Sequence, residues 1–196
     1  MDMRKVALIT DGWRRLFTYA LPAGILQRIR ETGEDVNLYI FNSTGNWSRD
    51  AGYNKAEYNI YNLPNLSDFD GIILELNNIS SPAVLADVIS NAKRSGRPVV
   101  SIANELGDFY YVGIDNYSAM KQVIAHLHEV HDCKKFWLLV GAQDNYESSC
   151  RLQGMLDYAK EHKIKIGKDD IWYGSFDYKS GLEGYKHLWD RHKELP

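Results

Sequence analysis

Residues 111–116 read Tyr-Val-Gly-Ile-Asp-Asn, and the stretch running from there to Ile164 decides the fold. After Asp115-Asn116 comes a helical period with Met120, Val123, Ile124 and Leu127 on one face. An apolar run from Phe136 to Val140 follows, reads as a strand and ends at Gly141. Arg151-Leu152-Gln153-Gly154 then opens a second helix, along which Leu152, Met155, Leu156 and Ala159 repeat the helical spacing. A short strand leaving one α/β unit, a helix, and a strand entering the next is the order expected at a crossing between two lobes.

Outward from this stretch the pattern persists. Val6–Thr10, Val36–Phe41, Phe69–Leu76, Pro98–Ala103, Tyr110–Ile114 and Ile171–Phe176 also read as strands, most of them as continuous apolar runs without alternation. Strands buried on both faces look like this, and helices interleaved between them predict a parallel, doubly wound α/β arrangement. Leu21, Ile25, Leu26 and Ile29 form one interleaved stripe, and Val84, Leu85, Val88 and Ile89 another. Gly33 and Gly96 sit where helices should end, Ser81-Pro82 and Asp115-Asn116 where they should begin. Pro22 must fall in a first turn or kink its helix. The polar stretch Asn42–Asn54 predicts a loop ending in a short helix that bears Tyr53, Tyr58 and Tyr61. No Gly/Ser or Pro linker, internal repeat or low-complexity tract divides the chain, so the boundary follows from motif order: an N-terminal lobe over 1–113 and a C-terminal lobe over 114–196.

Bulk composition removes several function classes. With 196 residues, 44% hydrophobic and 25% charged, the chain can bury a full core as one large or two small domains. Its net charge is −3 and no Lys/Arg run exceeds two residues, which argues against direct binding to a phosphate backbone. The first apolar run ends at Thr10, too soon for a signal segment, and no run approaches a membrane span. Cys133 and Cys150 lack C-x-x-C spacing and suit a reducing cytoplasm. The expected setting is therefore cytoplasmic, without membrane or nucleic-acid contact by this chain.

Seven short motifs in the same order resemble the core of the lactose-repressor (LacI/GalR) family. They are Phe69-Asp70-Gly71-Ile72-Ile73-Leu74, Arg97-Pro98-Val99-Val100, Val112 to Asn116, His126-Leu127 with Lys135 to Gly141, Arg151-Leu152-Gln153-Gly154, Gly174-Ser175-Phe176, and Ser180-Gly181. His131-Asp132 stands where the family usually has Gly-His. The resemblance covers nearly all of the chain. It implies a two-lobed, type 1 periplasmic-binding-protein-like α/β fold with parallel doubly wound sheets, and a noncatalytic sensor for a sugar or similar polar metabolite, working as a homodimer. It also departs from the family in two ways. Arg4-Lys5-Val6 already begins the first strand, so the helix-turn-helix is missing, and the second lobe looks truncated after Pro196. Such sensors lacking the helix-turn-helix also occur ahead of diguanylate cyclase (GGDEF) domains, so either kind of output is open.

Ligands of open parallel sheets gather at the carboxyl ends of strands. The candidate ligand residues are accordingly Asp11, Trp13 and Phe17 after the first strand, Asn42 after the second, Asn77 after the third and Asn104 after the fourth. Asp115, Asp144, Tyr146, Arg151 and Phe176 complete the set. The resemblance places Arg151 on the ligand, and a guanidinium offers five fixed donors for hydroxyls. Each has a bland reading beside it: Asp11 and Asp115 as helix caps, Trp13 and Trp137 as packing residues, the Asn and Asp residues as turn formers, Arg151 as a surface ion pair. His126, His128, His131 and Cys133 do not reproduce the spacing of a helical zinc site and read as a solvated helix edge, so no metal and no cofactor is expected. An enzyme reading, a nucleotide-dependent α/β enzyme, finds no G-x-G-x-x-G after the first strand, no phosphate-binding loop and no G-x-S-x-G elbow. A solute-binding protein outside the cytoplasm is the other alternative.

Overall fold

Strand β1 (Arg4–Asp11) lies at the heart of a five-stranded parallel sheet with β2 (Val36–Ser43), β3 (Gly71–Glu75), β4 (Val99–Ile102) and β5 (Tyr110–Val112), in the order β2-β1-β3-β4-β5. The computed structural model describes residues 3–12, 16–44, 50–77, 79, 81–143 and 145–196; the side chains of residues 16–18 and 51 are outside that set. The chain separates into two units, Met1–Gly113 and Ile114–Pro196, and the sheet belongs to the first.

Strand alternation assigns the faces. Ala7 pairs with Tyr39 and Ile72, Ile9 with Phe41 and Leu74, and Ile72 with Val99, so these residues share one face. Onto it pack Val88 and Ala92 of helix α3 (Pro82–Arg94), Tyr58 and Tyr61 of a 3₁₀ segment (Tyr58–Asn62), Leu66 and Phe69. Helix α3 forms where the sequence marks it: Ser81 caps the N-H of Val84, Pro82 opens the first turn, and Gly96, at φ 66°, follows the end. Burying Val88, 3% exposed, contributes about 2 kcal/mol of transfer free energy.

Two readings of the first unit take a definite form here. The stripe predicted in α1 (Leu16–Thr32) is not inserted into a core: none of residues 19–32 is buried, and Leu26 is 37% exposed. Pro22 falls in the seventh position of that helix, not its first turn, and leaves the carbonyl of Thr18 without a helical donor. The polar segment after β2 does end in a short helix, α2 (Ala51–Glu57), capped by the Asp50 carboxylate.

The second unit has β6 (Leu138–Val140) and β7 (Ile171–Tyr173) paired in parallel, with Leu139 opposite Trp172. Leu138 joins Ile124 of α4 (Asn116–Glu129) and Met155, Tyr158 and Ala159 of α5 (Tyr146–Glu161) in one cluster. On the other face Trp172 meets Gly184 of α6 (Tyr178–His192). Trp137, expected as core, is half-buried ahead of β6 with its ring stacked on His192 at 5.5 Å. Helices α4 and α5 pack tightly because Gly154 lies on the backbone of Tyr117, where an added Cβ would sit 2.3 Å from the Tyr117 carbonyl oxygen.

Candidate functional site

In each unit the polar groups collect at the carboxyl ends of the strands. In the first unit, Thr10 and Asp11 end β1 and point to opposite faces. On one face the Thr10 hydroxyl donates to Glu75 Oε2 at 2.8 Å, and Glu75 is 2% exposed. On the other, Asp11, 1% exposed, pairs in register with Ser43, and the Tyr61 hydroxyl donates to the Thr10 carbonyl at 2.9 Å. Burial first, then the charge of Asp11, pushes the Tyr61 phenol well above its ordinary value.

Asn42 and Asn104, both expected from the sequence, each keep a buried side-chain oxygen that accepts no hydrogen bond among the described residues. The Asn42 amide N-H₂ group donates to the Gly12 carbonyl at 3.2 Å, and the Asn104 carbonyl accepts from the Ser101 hydroxyl at 2.6 Å. The Asn42 amide oxygen is thus oriented by its own turn, whereas the Ser101 bond holds the Asn104 backbone; either side-chain oxygen can accept a donor such as a hydroxyl. Asn77 follows β3 in a turn, half-buried. Trp13 and Asp144 lie outside the described residues; Phe17 is in α1, but its side chain is outside them.

In the second unit a cavity of about 260 Å³ opens at the ends of β6 and β7, lined by Arg151, Ser148, Met120, Met155, Trp172 and Phe176 among others. Helix α5 begins at Tyr146, capped by Asn145 on the N-H of Ser148 at 2.9 Å, five residues ahead of Arg151. Arg151 therefore stands in the second turn and not at the helix opening expected from the sequence. That removes most of the dipole penalty a first-turn cation would feel. Its Nε donates to Asn116 Oδ1 at 2.7 Å. Asn116, 7% exposed, also donates through Nδ2 to Glu147 Oε1 at 3.1 Å, and Glu147 lies 3.7 Å from Arg151 Nη2. Sequence reasoning named Asp115 and Arg151 but missed Asn116 and Glu147; the signal was there, since Glu147 and Arg151 are four apart on one helix.

Asp115 caps α4, accepting the Ser118 N-H at 2.9 Å; that bond first, and the Ser118 hydroxyl second, holds its carboxyl below the usual range. Tyr146 is 41% exposed on the first turn of α5. Phe176, at φ 61°, lays its ring on Gly141, where a Cβ would meet ring carbons at 2.1 Å. Because that ring is 55% exposed and can swing away, Gly141→Ala should lower stability by no more than about 1 kcal/mol while removing one wall of the cavity. Urea unfolding of the variant, with Phe176 followed by aromatic NMR, checks both parts.

Among the described residues no group of three or more His, Cys, Asp or Glu is placed to hold a metal ion. His126 and His131 bring their Nε2 atoms to 3.1 Å, and both side chains are exposed. Among the described residues no helix is long and apolar enough to cross a membrane.

No family profile and no curated protein matches the sequence. Solved structures do. The transcription regulator CcpA of Lactococcus lactis superposes with a TM-score of 0.72 at 19% identity, over 97% of this chain and 65% of that one. The transcriptional regulator CelR, in complex with cellobiose, gives 0.71 at 23% identity, over 98% of this chain and 57% of that one. An ABC transporter solute-binding protein from Burkholderia multivorans gives 0.72 at 19% identity, over 100% of this chain and 69% of that one. This chain thus spans about 65% of the length of the L. lactis regulator. Its fold is the type 1 periplasmic-binding-protein-like α/β architecture that these regulators and solute-binding proteins have in common.

Proposed function

We propose that this chain is the noncatalytic sensing part of a LacI-like regulator, taking up a sugar or a similar neutral, hydroxyl-rich metabolite. The observation that carries the reading is Arg151: a guanidinium held by two side chains at the edge of a 260 Å³ cavity, beside the aromatic face of Phe176. Aromatic faces stack on the apolar side of a sugar ring while fixed donors engage its hydroxyls. Within the first unit Asn42 and Asn104 keep buried side-chain oxygens free to accept, which suits a group rich in O-H donors. The cellobiose complex of CelR supports the ligand class.

Output then comes from a difference in ligand affinity between conformations, passed to another domain or partner. Operator binding is the first choice, since two of the neighbours above are transcription regulators; a diguanylate cyclase output is the alternative, and the gene sequence on either side of these residues distinguishes them. A solute-receptor role is the second reading, favoured by the B. multivorans neighbour, and a secretory leader in the gene would decide for it. We also expect a homodimer. Helix α1 leaves Tyr19 62% exposed and Leu26 37% exposed, and β2 leaves Ile40 45% exposed, apolar side chains that a second copy could cover. Sedimentation equilibrium reads that directly.

A thermal-shift screen of neutral sugars and nucleosides, repeated with Arg151→Ala, tests the function. A ligand at 100 times its dissociation constant should stabilise by about 2.7 kcal/mol, and Arg151→Ala should remove most of that shift at the same concentration. A hit whose shift survives the substitution unchanged removes Arg151 from the site.

A further inference from the structure

We infer that Asn116 and Glu147 are the positioning and specificity-setting partners of Arg151, Asn116 fixing the plane of the guanidinium and Glu147 biasing the site against anionic ligands. This takes Arg151 as the ligand-contacting group of the reading above.

The geometry is a closed triangle. Arg151 Nε donates to Asn116 Oδ1 at 2.7 Å, Asn116 Nδ2 donates to Glu147 Oε1 at 3.1 Å, and Glu147 Oε1 faces Arg151 Nη2 at 3.7 Å. An amide has one acceptor and one donor end, so a side chain that receives from Arg151 and gives to Glu147 is held in a single flip state. Its own anchor is firm: Asn116 is the first residue of α4, is 7% exposed, and also sends Nδ2 toward the Ile114 carbonyl at 3.3 Å. A guanidinium is planar, so fixing Nε fixes the direction of both Nη groups. The edge bearing Nε is then spent inside the protein, and the remaining Nη donors are the ones offered to the cavity.

Glu147 sets the charge. It lies one turn before Arg151, with its side chain 20% exposed against 36% for the arginine. A carboxylate this close offsets much of the guanidinium charge in a partly desolvated setting. Among the described residues lining the cavity Asp177 is charged as well as Arg151, and its oxygens accept from the Ser175 hydroxyl at 2.6 Å and the Ser180 N-H at 2.8 Å. The described wall thus carries one cation and one carboxylate, with Glu147 drawing on the same cation from behind, so a ligand phosphate or carboxylate gains little net attraction where a hydroxyl still meets an oriented donor. The R-x-x-G spacing contributes directly, because Gly154 lets α5 settle on Tyr117 and so brings Arg151, one turn upstream, against Asn116.

The test reads the ligand-free protein. In a ¹⁵N-labelled sample the Arg151 Nε-Hε signal, assigned by its loss in Arg151→Lys, should exchange with water about tenfold more slowly than that of a free arginine. Asn116→Ala should restore fast exchange, and Asn116→Asp, which keeps an oxygen acceptor, should retain the protection. Glu147→Gln should leave the protection in place but let inorganic phosphate, at tens of millimolar, shift the Arg151 signal; in the unsubstituted protein it should not. Unchanged exchange in a folded Asn116→Ala protein overturns the positioning role, and if that variant does not fold, loss of protection in Asn116→Asp overturns it instead. Phosphate shifting Arg151 equally with and without Glu147 overturns the charge role. No sugar enters these measurements, so a failed sugar screen and a failed triangle are separate results.

Discussion

Gly154→Ala is expected to destabilise the protein by about 3 kcal/mol, although alanine is the better helix former by about 1 kcal/mol in a helix interior. The sign is decided by what surrounds the position. A Cβ there would lie 2.3 Å from the Tyr117 carbonyl oxygen, 3.1 Å from its carbonyl carbon and 3.3 Å from its Cα, all backbone of α4. Backbone inside a packed helix pair cannot rotate aside as a side chain can, so α5 must move off α4 or the chain must strain. Gly24→Ala in α1 is the matched control: nothing stands within 4 Å of its Cβ, and the substitution should stabilise by about 0.5–1 kcal/mol. Against a total stability of about 5–15 kcal/mol the first change is large and the second modest. Urea midpoints for the two variants should move in opposite directions. A midpoint that rises in both would mean that α5 does not sit on α4 as described, and the contact between Arg151 and Asn116 would go with it.

The central strands β1 and β3 of the first unit were legible because burial on both faces writes itself as apolar runs, whereas β2 and β5 are largely exposed and were found by their β-branched and aromatic residues. Val6–Thr10 extends by three residues, to Arg4–Asp11, and Val36–Phe41 by two, to Val36–Ser43, because ladder hydrogen bonds continue past the last apolar side chain. The strand expected over Phe136–Val140 shrank to Leu138–Val140 for the opposite reason: Phe136 and Trp137 pack through their rings while their backbone is outside the ladder. The start of α5 was misplaced because its apolar periodicity begins at Leu152, whereas its cap, Asn145, belongs to a polar loop that reads as turn chemistry. A cap is local and a stripe is not, so periodicity found the helix and lost its first turn.

The candidate site was legible in part. Arg151 carries a distinctive side chain at a distinctive spacing, and the cavity is where a carboxyl-end rule puts it. Asn116 was hidden behind Asp115: the sequence offers two cap-like residues side by side, and which one caps and which one turns inward depends on the helix entry angle. Here Asp115 caps and Asn116 is buried. The exposure of α1 was illegible for a different reason, since a stripe at helical spacing says that apolar residues align but not what covers them.

Tyr61→Phe should produce a stability difference that changes sign with pH. At pH 8 the phenol is protonated in both states, and the variant loses the bond to the Thr10 carbonyl and the one shared with the Ser43 side chain, so it should be less stable by about 1 kcal/mol. In the unfolded chain a tyrosine releases its proton near pH 10, whereas in the folded chain burial and the Asp11 charge raise the phenol above that. Between those two values the folded state holds the proton that the unfolded state has given up. Stability then falls as pH rises, by about 1.4 kcal/mol per pH unit. Phenylalanine has no proton to lose, so its curve lacks this slope. The two proteins should be equally stable near pH 11, and by pH 12 the variant should lead by roughly 1–2 kcal/mol. Tyr158, pushed up to about 12 by burial and by its bond to Glu129, bends both curves alike and cancels from the difference. Urea unfolding at pH 8, 10, 11 and 12 measures the crossing. Parallel curves would place the Tyr61 phenol in water, and the buried carboxyl edge of the first sheet, with Asp11 at its end, would have to be redrawn as an open one.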